Sequence, residues 1–420
     1  MSGLQKNIFT TYASQIVSVL CTFLSSVVLA RMLGSYGQGE LALYVTFVAT
    51  LVMIAGLGLS QGMVVFIAAG KIPRSGLLLR TIIYILLAGI IIAGFVGLAI
   101  TGGWLDGFLP EFILHAHSWI WVIVVQIVFT LLNSFFTAIL QAEKKFIPAA
   151  RIAMTGSICL LLCYGLRFHQ IVGPTIMPLY WVISVMVFVL IIQSVLYLLH
   201  IYKTDKQYFN GAVGNWNLFK PLMLFSGMVF ITNLVQFMNY KMDIWIINYF
   251  HTDKQALGQY TLAVSLAQMI WLLPAALQTV IYPYIAGEGD SQEMFLKIRR
   301  WTIQAGGYAL IAGVAGYFAA RLFLPTIFGT EFEPSVELIG ILLLGIIPFA
   351  LTMPLSAYFA ARNKVIINLY AGIIGLVICL ILDFLWIPSF HVIGAAWATV
   401  VSYLSTTLFL MILFFSRKMK

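Results

Sequence analysis

The chain has 420 residues, of which 62% are hydrophobic and only 9% are charged, and its mean hydropathy is +1.01. One aqueous core cannot hide that much apolar surface, so the composition excludes a water-soluble protein and indicates one that spans a membrane. The formal net charge of +9 is spread over separate segments, which argues against nucleic-acid binding and favours anionic lipid as a partner.

Spanning helices need about 20 mostly apolar residues, and twelve runs of this kind follow one another along the chain. They cover residues 10–33, 41–69, 77–100, 117–141, 149–166, 175–200, 221–249, 257–284, 302–323, 335–359, 365–387 and 392–415. The second, seventh and eighth runs are longer than a bilayer requires, so we expect tilt or extension into water. The first run is too long for a signal peptide and lacks a small-residue cleavage site.

Basic residues alternate between the two sides of the predicted membrane. One set of segments, which includes both termini, holds 18 of the 23 lysines and arginines. Cytoplasmic loops carry the excess of basic residues in membrane proteins, so we predict that this set, with both termini, is cytoplasmic. The regular alternation also supports the number of twelve spans.

The two halves of the chain resemble each other. The segment from Leu43 resembles the segment from Leu262, and residues 26–34 match residues 243–251, at a shift of about 218 residues. Six spans in each half let both halves enter from the same side, so we predict two pseudo-symmetric six-helix bundles about an axis along the membrane normal. The predicted domains are residues 1–203 and 218–420, and a cytoplasmic linker at residues 204–217 joins them.

Motifs of enzyme chemistry are missing from the sequence, which has no GxxxxGK[ST] loop, no Ser/His/Asp set and no paired-carboxylate signature. We therefore predict no catalytic residue, no metal site and no cofactor. The polar groups of the longest external loop are predicted to lie on the surface; they are Asp106, Glu111, His115 and His117. The cysteines are predicted to be packing residues within spans; they are Cys21, Cys159, Cys163 and Cys379.

Polar side chains recur along one face of the seventh span, at steps of 7, 3, 4 and 3 residues. They are Ser226, Asn233, Gln236, Tyr240 and Asp243. Lys241 points about 200° away from Asp243 on a regular helix, so these two cannot form a simple ion pair. Charges inside spans are costly and tend to be functional, so we predict that these residues line a path for substrate and ion, with Asp243 facing a cavity. The alternative is a structural salt bridge between Asp243 and another helix.

Other charged residues lie near the predicted ends of spans. Arg80, Arg151 and Lys220 stand at cytoplasmic ends and are candidates for contacts with pyrophosphate or anionic lipid, although the positive-inside rule also accounts for them. Four residues near external ends are predicted to be hydrated at the interface; they are Arg31, Glu40, Glu337 and Asp383. Pro274 removes a backbone hydrogen bond from the eighth span and is predicted to kink it, which could serve gating.

Two stretches of the sequence resemble a known family. "LARMLGSYGQGELALYVTF" and "NYKMDIWIINYFHTDKQALGQYTLAVSLAQMIWLLPAALQTVIYPYIA" are similar to the Wzx-type polysaccharide flippases of the multidrug/oligosaccharidyl-lipid/polysaccharide exporter superfamily. The matching pattern is a basic residue, x-Asp, an apolar run, Gly-x-Tyr-x-x-Ala and a closing Tyr-Pro pair. Its residues are Lys241, Asp243, Gly258, Tyr260, Ala263, Tyr282 and Pro283.

The resemblance implies two six-helix bundles in the fold of multidrug exporters. It also implies translocation of an undecaprenyl-pyrophosphate-linked oligosaccharide across the bacterial cytoplasmic membrane, for O-antigen, capsule or exopolysaccharide synthesis. The implied mechanism is ion-coupled alternating access, with H⁺ or Na⁺ as the coupling ion. Other membrane proteins of polysaccharide assembly would then be partners.

Three alternatives remain open at this stage. A multidrug/cation antiporter of the same superfamily would share the fold. A major-facilitator transporter would share the two bundles, but the loop after the second span, "AAGKIPRSG", lacks the pattern expected there. A membrane polymerase or ligase of lipid-linked glycans would need a large external catalytic loop, which the sequence lacks.

Overall fold

The computed structural model describes residues 3–103, 110, 113, 119–168, 177–209, 220–251, 253–287, 292–362 and 364–416. The described chain is all-α, as predicted. Its long helices are α1 (Gly3–Gly56), α2 (Leu59–Ala68), α3 (Leu77–Thr101), α4 (Trp119–Ala142), α5 (Phe146–Phe168), α6 (Met177–Thr204), α7 (Lys220–Phe250), α8 (Lys254–Gln268), α9 (Leu272–Gly287), α10 (Gln292–Phe328), α11 (Pro334–Phe349), α12 (Thr352–Ala361) and α13 (Val365–Ser416). Short 3₁₀ turns cover Lys206–Tyr208, Met269–Trp271 and Thr330–Phe332.

Ten helical segments of the described chain are long and apolar enough to cross a membrane, judged by length and composition. Large apolar side chains remain exposed along them; Ile91 and Leu98 of α3, for example, are each 70% exposed. Such apolar surface is unfavourable in water and favourable against lipid tails. Helices can cross lipid because they satisfy their own backbone hydrogen bonds. The chain is therefore a multi-pass membrane protein.

Two of the ten segments are much longer than a bilayer requires, and each contains a break. In α1, Gly34 has φ 65° and ψ −179°, and in α13, His391 has φ 54° and ψ −137°. Glycine adopts a positive φ readily because it has no Cβ atom, whereas a histidine in that region is strained. The predicted spans at 10–33 and 41–69 flank the first break, and those at 365–387 and 392–415 flank the second. The number of twelve crossings stays a prediction.

The described chain divides into two compact units. Unit 1 comprises Met1–Gly34 and Leu43–Asn233, and unit 2 comprises Ser35–Ala42 and Leu234–Lys420. The division between the units falls within α7, beyond the predicted linker, of which residues 210–217 lie outside the described part of the chain. The prediction of two six-span domains with boundaries at 203 and 218 stays a prediction.

Unit 1 is organised around α4, which packs against α2, α3, α5 and α6. Its apolar contacts are fully buried, as at Ile123 and Ile127 of α4. Outside the spans, the loop carboxylate of Glu143 accepts a hydrogen bond of 2.8 Å from the Tyr208 hydroxyl. Burial, followed by this hydrogen bond, raises the pKa of Tyr208, so its phenol stays neutral and keeps the loop after α4 joined to the turn after α6.

In unit 2, α11 packs against α8, α10 and α13. The segment Ser35–Ala42 of α1 joins this unit through a close crossing with α8. A Cβ atom on Gly39 would collide with the carbonyl oxygen of Lys254, and one on Gly258 would collide with the carbonyl oxygen of Ser35. Only glycine permits backbones to approach this closely, so both positions of the crossing require it.

Candidate functional site

The polar residues predicted on one face of α7 do not share one environment. Ser226 is buried in unit 1, where its hydroxyl lies against Gly62. Gln236 in unit 2 donates a hydrogen bond of 2.9 Å to the Tyr240 hydroxyl, and Gln236 is exposed. Asn233 is half-buried at the end of unit 1. The role of Asn233, Gln236 and Tyr240 in a pathway for substrate and ion stays a prediction.

Asp243 lies in the interior of unit 2, and 7% of its surface is exposed. One carboxylate oxygen accepts a hydrogen bond from the hydroxyl of Tyr260 on α8, and the other accepts one of 2.8 Å from the backbone N–H of Ile244. The Tyr260 hydroxyl also lies 3.4 Å from Thr399 Oγ1 on α13. The carboxyl of Asp243 is therefore joined to α8 by a neutral donor, Tyr260 in turn contacts α13, and the described residues give Asp243 no salt bridge.

Asp383 on α13 corrects a prediction. The sequence places it at a hydrated external end, yet its exposed fraction is 0%. The reason is that the helix continues beyond the predicted end at 387 to the break at His391, which leaves Asp383 about two turns inside it. Glu40, predicted to be interfacial, is likewise buried and lies 3.7 Å from Lys254 Nζ.

The carboxyl of Asp383 is poorly satisfied by the protein. Its Oδ2 lies 3.4 Å from the thiol of Cys379, which is a weak donor, and its Oδ1 has no hydrogen-bond partner among the described residues. The Asp383 carboxyl lies near enough to Asp243 for the two carboxyls to interact electrostatically. Cys379, predicted only to fill space, is thus also a neighbour of this carboxyl.

A second polar layer lies one helical turn along α7 from Asp243. The Ser402 hydroxyl contacts Asn239 Oδ1 at 3.1 Å and the carbonyl oxygen of Gly375 at 2.8 Å. A side chain on Gly375 would collide with Thr406 and press on the Asn239 amide. Small and neutral polar residues therefore hold α7 against both parts of α13 on this side of the carboxyl pair.

Asp243 and Asp383 are thus both buried in unit 2, and no described residue forms a salt bridge with either. A buried carboxylate without a salt bridge is unfavourable by several kcal/mol, and a proton or a bound cation removes this cost. Hydroxyl, amide and carboxyl oxygens are groups that suit H⁺ or a hard cation such as Na⁺. Within the described ranges, no group of three or more His, Cys, Asp and Glu side chains could hold a metal ion.

Lys241 is half-buried and forms no ion pair with any described residue, although its charge is near enough to act on Asp243 electrostatically. The Asn248 amide oxygen, one helical turn and more beyond Asp243 on α7, accepts a hydrogen bond from the buried Lys254. No described base contacts the carboxyl of Asp243, so the alternative of a structural salt bridge there has no support. The role of Lys241 in the pathway stays a prediction.

The three basic residues predicted to contact pyrophosphate differ in environment. Arg80, in the first turn of α3, is only 4% exposed and lines a cavity with Met63, Tyr84 and other apolar side chains of unit 1. Arg151 and Lys220 are exposed near the starts of α5 and α7. Contacts of these residues with pyrophosphate stay a prediction.

Pro274 lies in the first turn of α9, directly after the 3₁₀ segment Met269–Trp271 that separates α9 from α8. A proline is tolerated in the first turn of a helix because the N–H that it lacks would have no partner there. The 3₁₀ segment before Pro274 interrupts the predicted eighth span close to the place where a kink is predicted. Its role in gating stays a prediction. The predicted surface groups Asp106, Glu111, His115 and His117 lie outside the described residues.

The fold is similar to that of the lipid II flippase MurJ in an inward closed conformation, at 17% identity and a TM-score of 0.76, covering 98% of this chain and 87% of that chain. It is also similar to an inward-facing multidrug resistance MATE family transporter of the MOP superfamily, at 13% identity and a TM-score of 0.76, covering 95% and 94%. The MATE transporter VcmN from Vibrio cholerae, in the bent form, matches at 15% identity and a TM-score of 0.60, covering 100% and 98%. No curated protein sequence matches the chain.

A family model described as "Polysaccharide biosynthesis protein" matches residues 4–287, which is more than half of the chain. The match covers α7, α8 and the Asp243–Tyr260 contact. The family description agrees with the resemblance to polysaccharide flippases seen in the sequence, and the fold agrees with the predicted exporter fold. The chain belongs to the polysaccharide biosynthesis protein family.

Proposed function

We propose that this protein moves an undecaprenyl-pyrophosphate-linked oligosaccharide from the inner to the outer leaflet of the bacterial cytoplasmic membrane, for O-antigen, capsule or exopolysaccharide synthesis. The family match and the fold shared with a lipid II flippase support the class of substrate. Anionic lipid surrounds the protein, and other membrane proteins of polysaccharide assembly receive its product. Both termini face the cytoplasm, because 18 of the 23 basic residues fall in the segments on that side.

The observation that carries the mechanism is the carboxyl pair of unit 2. Asp243 and Asp383 are both buried, and Oδ1 of Asp383 lacks a hydrogen-bond partner among the described residues. A carboxyl pair in this state binds a cation when its helices are closed and releases it when water enters. Uptake of H⁺ or Na⁺ by the pair would thus favour one arrangement of α7 and α13 over another, which is the differential binding that coupling requires.

The second candidate function is multidrug/cation antiport. It is favoured by the MATE transporters among the proteins of similar fold. An antiporter would use the same carboxyl pair for its coupling cation, so the two functions differ in substrate and not in the ion site. A lipid profile separates them.

Mass spectrometry of lipid extracts from a deletion strain tests the proposal. Undecaprenyl-linked oligosaccharide should accumulate in the deletion strain and return to the normal level when the wild-type gene is restored. Complementation with Asp243→Asn or Asp383→Asn should leave the accumulation in place. Glu337→Gln changes an exposed acid of α11 and serves as the control that restores the profile. An unchanged lipid profile together with drug hypersensitivity would instead establish the antiporter.

A further inference from the structure

Unit 1 contains a cavity of about 440 Å³ between α2, α4, α5 and α6. Four side-chain amides line it, and several hydroxyls lie between them, whereas its described lining includes no charged side chain. The amides belong to Gln61, Asn133, Gln141 and Gln193. Small-molecule sites typically have volumes of about 300–1,000 Å³, so this neutral polar cavity has the size of a ligand site.

Part of this lining is open to its surroundings. Gln61, Ser134 and Gln141 are exposed, although α2 and α4 are apolar helices. Polar groups in contact with hydrocarbon lose hydrogen bonds at a cost of several kcal/mol each. The amide-bearing face of the cavity is therefore in contact with water or with a polar ligand, and not with lipid tails.

Two of the amides are held in fixed positions by the protein. Asn133 donates to the carbonyl oxygen of Leu190 at 3.1 Å and accepts from the Ser194 hydroxyl at 2.8 Å. Gln193 donates to the carbonyl oxygen of Ile152 at 3.4 Å, and the absence of a side chain at Gly156 leaves the space that it occupies. These contacts fix the direction in which both side chains can offer their remaining groups.

The other two amides have unused bonding capacity. Neither Gln61 nor Gln141 makes a side-chain hydrogen bond with any described residue, so each has two N–H donors and one carbonyl oxygen to offer. Adjacent hydroxyls of a sugar ring need donors and acceptors side by side, which an amide supplies. The apolar side chains of Val64 and Leu190, also in the lining, suit the C–H faces of such a ring. A pyrophosphate or a cationic drug would instead need an opposite charge, which this lining does not offer.

We infer that this cavity binds the neutral sugar part of the lipid-linked substrate, with Gln61 and Gln141 as its specificity-determining residues. The inference rests on the proposed function, and it adds which part of the substrate unit 1 recognises. Phosphate recognition then belongs to other residues, since the cavity has no basic side chain among its described lining. Sugar binding and cation binding are thus assigned to different groups of residues.

The test compares two synthetic probes on the purified full-length protein. One probe is a short-chain prenyl pyrophosphate that carries a neutral disaccharide, and the other is the same prenyl pyrophosphate without sugar. Wild-type protein should bind the glycosylated probe more tightly, as measured by tryptophan fluorescence. Gln61→Leu and Gln141→Leu should each reduce this affinity ratio by about three- to tenfold, the range expected for one lost hydrogen bond, and leave the affinity for the bare probe unchanged.

Gln255→Leu is the matched control, because Gln255 is an exposed glutamine in the first turn of α8 in unit 2. It should leave the affinity ratio unchanged. The side chains of Gln61 and Gln141 bond to no described residue, so all three variants should unfold at the wild-type temperature. An unchanged ratio in the protein that carries both Gln61→Leu and Gln141→Leu, or a wild-type protein that does not prefer the glycosylated probe, overturns the inference and leaves the proposed function standing. Failure of wild-type protein to bind either probe would contradict both.

Discussion

A buried tyrosine hydroxyl donates to an acceptor in the interior of each unit, but the acceptors differ. In unit 1, Tyr44 donates to the neutral amide of Gln126, and in unit 2, Tyr260 donates to the carboxyl of Asp243. An amide is neutral and is satisfied by hydrogen bonds alone, whereas a buried carboxylate also carries a charge that a proton or a cation can neutralise. This difference supports our proposal that unit 2 couples to a cation and that unit 1 offers neutral recognition groups.

The largest expected effect is on transport. Asp243→Asn and Asp383→Asn keep the shape of each side chain and remove its ability to bind a cation. If the coupling between cation and substrate is about 1–3 kcal/mol, transport should fall by about 5- to 150-fold in each variant. Complementation of a deletion strain measures this, with membrane expression checked in parallel. The double variant should be no worse than either single variant, because the two carboxyls act as one site.

A carboxyl introduced into unit 1 tests whether the interior of that unit tolerates a buried acid. Gln126→Glu places a carboxyl beside Tyr44 in unit 1, where Gln126 is 5% exposed. Among the described residues of unit 1 the carboxylates are Glu143 and Asp205, which both lie in loops, so the variant should lose about 1–3 kcal/mol of stability. Thermal unfolding in detergent measures this loss. Stability equal to wild type would mean that the interior of unit 1 accepts a carboxyl as readily as that of unit 2.

Removal of the Tyr260 and Tyr44 hydroxyls compares the strengths of the two buried hydrogen bonds directly. Tyr260→Phe takes a donor from a carboxyl and should cost about 1.5–3 kcal/mol, whereas Tyr44→Phe takes a donor from an amide and should cost about 0.5–1.5 kcal/mol. The difference between the two unfolding free energies is the quantity of interest. Equal losses would indicate that the carboxyl of Asp243 does not depend on Tyr260.

The smallest effect on transport is expected at Glu143, a largely buried carboxylate of unit 1 that lies outside the spans. It has several partners, since Tyr208 donates to it and Arg74 lies 3.7 Å away. Because Arg74 is half exposed, the ion pair contributes little, and Glu143→Gln should lower stability by about 1 kcal/mol. Transport should stay at the wild-type level in the complementation assay. A transport defect would mean that a carboxylate with full partners also takes part in coupling.

The fold was largely predictable because a lipid environment requires long apolar runs, which the sequence shows directly. Gly39 and Gly258 are separated by close to the shift of about 218 residues, as are Ser35 and Lys254, and the internal repeat itself stays a prediction. The breaks at Gly34 and His391 are less evident in the sequence, because apolar residues surround each of them and the helix resumes directly on the far side.

Half of the carboxyl pair was predictable. Asp243 stands out as a charge within an apolar run, but Asp383 falls close to the predicted end of a span, where hydration would be available. The spacing of Cys379 and Asp383 by four residues is the signal that puts both on one face of a helix. Nothing in the sequence pairs Asp243 with Tyr260 or Thr399, since these contacts depend on how α7, α8 and α13 pack.

Transport in proteoliposomes under an imposed cation gradient tests the role of the carboxyl pair most directly. Wild-type protein should flip a fluorescent lipid-linked oligosaccharide faster when a gradient of either H⁺ or Na⁺ is applied, and the responding ion identifies the coupling cation. The Asp243→Asn/Asp383→Asn protein should flip at the same slow rate with and without the gradient. Equal acceleration of wild type and double variant by the gradient would contradict the proposal that the carboxyl pair of unit 2 couples cation to lipid.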